Sequence, residues 1–81
     1  MAERTVSIAI QREQDAFAAK TALRNFTRIV GFSEQENEEL LLVVSELASN
    51  LIKHAHGGQL AFKILEETGN RKGIEIESTD D

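Results

Sequence analysis

Val30-Gly31-Phe32-Ser33-Glu34-Gln35-Glu36 ends one helix and starts another within a few residues, and the rest of the chain reads outward from it. Gly31 stands where a left-handed helix cap favours glycine, because no Cβ resists that conformation. Ser33 is a good N-cap, and Glu36, three residues on, completes a capping box. Upstream, Ala19, Leu23, Phe26 and Val30 recur at i, i+4, i+7 and i+11, with Ala16, Ala22 and Ile29 widening the stripe. That spacing predicts a helix from about Gln14 to Val30. Downstream, Leu40, Val43, Val44, Leu47, Leu51 and Ile52 predict a second helix running to about Ala55, with Gly57-Gly58 ending it. Glu34, Glu36, Glu38 and Glu39 crowd its first turns, where the helix dipole favours negative charge.

Beyond the two helices the period changes to two. Val6, Ile8 and Ile10 alternate with small or polar residues in Thr5–Ile10, as in a strand with one buried face. Leu60, Phe62 and Ile64 alternate as well, and so do Ile74 and Ile76 after a polar turn through Gly69-Asn70-Arg71-Lys72. The order strand, helix, helix, strand, strand predicts an α+β fold, with two helices on one face of a small, mainly antiparallel three-stranded sheet.

At 81 residues the chain has room for a single domain, 1–81, which at this size buries only about 60% of its unfolded surface. Its 28% charged and 41% hydrophobic residues are an ordinary globular balance. The net charge of −5, scattered basic residues and aromatics limited to Phe argue against a nucleic-acid surface, which needs a basic stripe. With no cysteine there can be no disulfide or thiolate metal site, and a reducing compartment is expected. No signal-peptide pattern opens the chain, and no apolar run nears the roughly 18 residues of a membrane span, so the expected location is cytoplasmic, away from membranes.

The stretch with chemical potential is Ser45-Glu46-Leu47-Ala48-Ser49-Asn50-Leu51-Ile52-Lys53-His54. Glu46, Asn50, Lys53 and His54 fall at i, i+4, i+7 and i+8 and share a stripe, expected beside the apolar face rather than opposite it. A carboxylate can accept a proton from an attacking hydroxyl, an amide oxygen can ligate Mg²⁺, and an ammonium can oppose phosphate charge. The same spacing arises on any solvated helix face, which is what periodicity alone favours. His54 and His56 could also be taken for metal ligands, but no other ligand stands near them in sequence, and an exposed helix end explains them better.

Glu46-x-x-x-Asn50-x-x-Lys53-His54 resembles the N-box of the ATPase superfamily that includes gyrase, the heat-shock chaperones and the histidine kinases. Val44-Ser45-Glu46-Leu47-Ala48-x-Asn50, followed by His54-Ala55-x-Gly57-Gly58, is most similar to the RsbT-type serine kinases, anti-sigma and stress-switch regulators of bacteria. The likeness takes in the element order as well and covers nearly all of the chain. It implies the N-terminal part of a Bergerat-type ATP-binding fold with ATP and Mg²⁺ as cofactors. Glu46 is then the candidate general base and Asn50 the Mg²⁺ ligand. Lys53 and His54 fall at cofactor-binding positions, and Asp80 at the position that accepts a hydrogen bond from the adenine amino group. The implied partners are an antagonist protein with a phosphorylatable Ser or Thr, and a sigma factor or phosphatase activator. The family's glycine-rich loops would follow Asp81. The chain is therefore expected to bind ATP weakly or not at all, to be inactive as a kinase by itself, and to self-associate through an exposed sheet edge around Ile74–Ile76. The alternative is a non-catalytic interaction module that uses its acidic helix or that open edge.

Overall fold

A computed structural model describes residues 5–54, 56–66 and 72–80. The elements are β1 (Thr5–Ile10), α1 (Glu13–Val30), α2 (Glu34–His54), β2 (Gly58–Glu66) and β3 (Lys72–Asp80). The three strands form one antiparallel sheet in the order β1-β2-β3. Both helices cover one face of it, α1 packing against all three strands and α2 against β1 and β2. The predicted α+β architecture is therefore the observed one. The predicted turn residues Gly69, Asn70 and Arg71, and the expected helix end at Ala55, lie outside the described residues, whereas Lys72, also expected in the turn, opens β3 by pairing with Glu66.

Local chemistry explains where the helices begin and end. Asp15 turns back so that its Oδ2 accepts the backbone N–H groups of Gln11 (2.9 Å) and Arg12 (3.0 Å), which starts α1 at Glu13. Gly31 has φ 86°, and the Thr27 carbonyl accepts from both the Gly31 and Phe32 amides, closing the helix as the glycine predicts. The capping box of α2 is complete. The Ser33 N–H donates to Glu36 Oε1 at 2.8 Å, and the Glu36 N–H donates to Ser33 Oγ at 3.1 Å.

In the sheet the pairs Val6↔Phe62↔Ile76 and Ile8↔Leu60↔Ser78 set the register. Directly paired residues share a face, so Val6, Ile8, Ile10, Leu60, Phe62, Ile64, Ile74 and Ile76 all point at the helices. Ile10, Leu23, Val44, Leu60 and Phe62 are the largest fully buried side chains. The Phe26 and Phe62 rings meet edge-on, centroids 6.4 Å apart, joining α1 to the middle strand. Thr27, buried between the helices, shares its hydroxyl proton between the Arg24 carbonyl (3.0 Å) and Asn37 Oδ1 (2.8 Å).

The buried face of α2 differs from the predicted one. Leu41, Val44, Ala48 and Leu51 form it, while Val43 is exposed and Leu40, Leu47 and Ile52 are half-buried. Relative to the sequence reading, the inward direction is turned toward Leu41 and Ala48. The cause is that α2 has two partners, α1 as well as the sheet, and Ala48 is small enough to let the elements approach. Ile29, expected on the core stripe of α1, is likewise exposed. No helix among the described residues is long and apolar enough to cross a membrane.

Candidate functional site

The four residues of the predicted stripe span about 100° of α2, and the turned helix face puts that stripe on the outer side of the helix rather than beside the core. At 3.6 residues per turn, Glu46 stands about 180° from the midline of Val44 and Ala48 and Lys53 about 160°, so both point away from the core rather than beside it. Lys53 leans toward α1, lining a groove of about 190 Å³ with Glu13, Ala16, Lys20, Ser45, Ser49 and Ile52. Asn50 and His54 turn the other way, to the flank of α2 remote from α1. Glu46, Asn50, Lys53 and His54 are all exposed. The four thus share the outer side of α2, with Lys53 at its edge nearer α1 and His54 at the edge remote from α1.

Asp80 is exposed too, but the sheet register gives it a specific place. Gly58 pairs with Asp80, and Leu60 with Ser78. Since Leu60 is fully buried, Ser78 and Asp80 lie on the helix-facing side of β3, and both are exposed because neither helix covers that corner. A Cβ built on Gly58 would meet the Thr79 carbonyl oxygen and come within 2.8 Å of Leu51 Cδ2 and 2.9 Å of the Asp80 Cα. Leu51, neighbour of Asn50 in the chain, therefore sits directly over the Gly58–Asp80 pair. Leu51 of α2 thus comes close to β2 at Gly58, whose strand partner on β3 is Asp80, and the absent side chain of Gly58 permits that approach.

On the same wheel Asn50 stands about 140° and His54 about 100° from the core midline, so both are exposed groups at this end of α2, while Ser78 and Asp80 are exposed groups at the end of β3. Asp80, which the resemblance places at the adenine-binding position, is an exposed strand residue on the helix-facing side of β3. Ser78 was missed, although the alternation Ile74, Ile76, Ser78, Asp80 carries the signal. Asp81 lies outside the described residues. Among the described residues no three His, Asp or Glu side chains gather to hold a metal ion, so His54 and His56 find no third ligand of that kind.

No protein-family model matches the chain, and no solved structure matches it. Among curated proteins it is similar to the serine/threonine-protein kinase RsbT of Bacillus subtilis (strain 168), with 30% identity over 73 residues. The matched region covers 90% of this chain and 54% of the kinase, so the chain spans about half the length of that relative. The relationship is a distant, RsbT-like one.

Proposed function

We propose that this chain carries the Asn- and Asp-bearing half of an ATP site in a serine/threonine kinase of the RsbT type, acting in a bacterial partner-switching pathway. What supports the reading is that Leu51, next to Asn50 on α2, comes close to Gly58, the strand partner of Asp80. The similarity to RsbT over most of the chain supports it. In this reading Asp80 accepts the adenine amino group, and Asn50 offers its amide oxygen to Mg²⁺. His54 shares that side of α2 and faces the phosphates. When bound, Mg²⁺ supplies charge neutralisation at the phosphate oxygens. Glu46 takes the proton of the acceptor hydroxyl from a Ser or Thr of an antagonist domain. Lys53, on the same outer side of α2, reaches phosphate with its long stem. A sigma factor or phosphatase activator is the further partner class.

Affinity for nucleotide in this chain is low, because the corner is open and every polar group on it is solvated. The test is a chimera in which this chain replaces the matching half of RsbT. Calorimetry should show Mg-ATP binding by the chimera, weaker by at least about tenfold, roughly 1.4 kcal/mol, with Asn50→Ala. A folded chimera that is silent toward Mg-ATP sinks the reading. One observation favours a non-catalytic interaction module instead: Glu46 points straight out of the molecule, next to the exposed Leu42 and Val43. Under that reading Asn50→Ala leaves partner binding unchanged.

A further inference from the structure

We propose that the outer face of the helix layer is a self-complementary surface that binds a second copy of this chain, α1 of each copy lying on α2 of the other. The two helices present opposite chemistries. On α1, Phe17 is 75% exposed and walls a cleft of about 190 Å³ with Lys20, Thr21 and Arg24. Arg28 extends the same basic ridge one turn on. On α2, Leu42 is 64% exposed, with Glu38, Glu39 and Glu46 at i−4, i−3 and i+4 around it. One helix thus carries an apolar-walled cleft ringed by cations, the other an apolar knob ringed by carboxylates. No ion pair among the described residues engages Lys20, Arg24 or Arg28.

The geometry lets one rotation satisfy both halves. The helices are antiparallel neighbours. Glu13, Ala16 and Lys20 lie level with Ser45 to Lys53, and Arg24 and Arg28 level with Glu34 and Asn37. A two-fold axis parallel to the helices and midway between them lays α1 on the partner copy's α2 without changing level. It brings Leu42 within about one helical turn of the Phe17–Arg24 cleft, and Arg24 near Glu38. This arrangement is isologous, so each contact occurs twice.

Charge disfavours the alternatives. The other two-fold stacking sets α1 on α1 and α2 on α2, cation against cation and carboxylate against carboxylate. Pairing two copies along β3 about Ile76 would set Glu75 of each copy opposite Glu77 of the other, like charges that oppose association. The helix layer, about 27 Å long and about 20 Å wide, offers on the order of 500 Å² per copy. A total near 1,000 Å² is at the small end of specific interfaces, so the dimer is expected at micromolar concentrations.

The test is sedimentation equilibrium from about 1 to 500 μM, with circular dichroism to verify folding; it needs no nucleotide and leaves Asn50 intact. The expected result is a dimer that weakens at least about tenfold between low salt and 0.5 M salt. Arg24→Glu and Glu38→Arg should each weaken it by at least about tenfold, and the double variant should restore it. Leu42→Ser should weaken it without changing the fold. A chain that stays monomeric at about 500 μM in low salt overturns the proposal. So does a dimer indifferent to Arg24→Glu and Leu42→Ser, as sheet-edge pairing would be, or a folded double variant that does not recover.

Discussion

Gly58 and Gly57 divide two tasks between adjacent positions. Gly57 has φ 96°, which β-carbon-bearing residues resist, and its amide donates to the Leu51 carbonyl at 3.1 Å to close α2. Gly58 is needed for space, since Leu51 and the β3 backbone occupy the volume of a side chain. Gly58→Ala is therefore expected to lower stability by about 1–3 kcal/mol, read as a lower urea midpoint. In the RsbT chimera the same change should also weaken Mg-ATP binding, because it pushes Leu51 and Asp80 apart. Gly31→Ala is the control. Its φ of 86° is unfavourable but nothing lies within 4 Å, so it should cost about 1 kcal/mol and leave the corner undisturbed. The sequence showed a glycine pair ending a helix; that the second glycine sets the approach of α2 to β3 depends on strand pairing that no local pattern encodes.

Helix starts in this protein are held by carboxylates. Backbone hydrogen bonds from Gln11 and Arg12 hold the Asp15 carboxyl below its ordinary range, and the Ser33 N–H followed by the Ser33 hydroxyl does the same for Glu36. Both folded-state values are depressed, so between the folded and unfolded values the unfolded chain binds more protons. The stability these caps contribute is present above the unfolded values and is lost as the pH falls through the folded ones. Thermal midpoints should accordingly decline below about pH 4, and the decline should be shallower in Glu36→Gln, which keeps an acceptor but cannot titrate. Ser33→Ala should cost about 1 kcal/mol at neutral pH. The Ser33–Glu36 box was legible because its spacing is fixed by one helical turn. The Asp15 contact was not read from the sequence, since it depends on how β1 delivers Gln11 and Arg12. The buried face of α2 was read too far toward Val43, because hydrophobicity alone does not tell where α1 will lie.

Across the whole molecule, the sheet and helix layer are one core deep, with Cα extents of 40 × 26 × 15 Å. Phe62 is fully buried at its centre and meets Phe26 of α1. Phe62→Ala should cost about 3–5 kcal/mol, a large part of what so small a domain has. Urea unfolding followed by far-UV circular dichroism should show the chain largely unfolded or its midpoint sharply reduced. Retention of the full midpoint would mean the stability lies elsewhere. The sequence by itself determined the order and type of the elements, because helix and strand periods, caps and glycines act over a few residues of chain. It also singled out Glu46, Asn50, Lys53, His54 and Asp80 as chemically capable groups. Only the tertiary structure decided where these groups face. The rotation of α2 between α1 and the sheet turns the whole stripe from Glu46 to His54 outward, and the β2–β3 register turns Ser78 and Asp80 toward the helix layer. Rotation and register are set by contacts between segments far apart in the chain, where burying apolar area on several partners at once outweighs the preference of any single stripe.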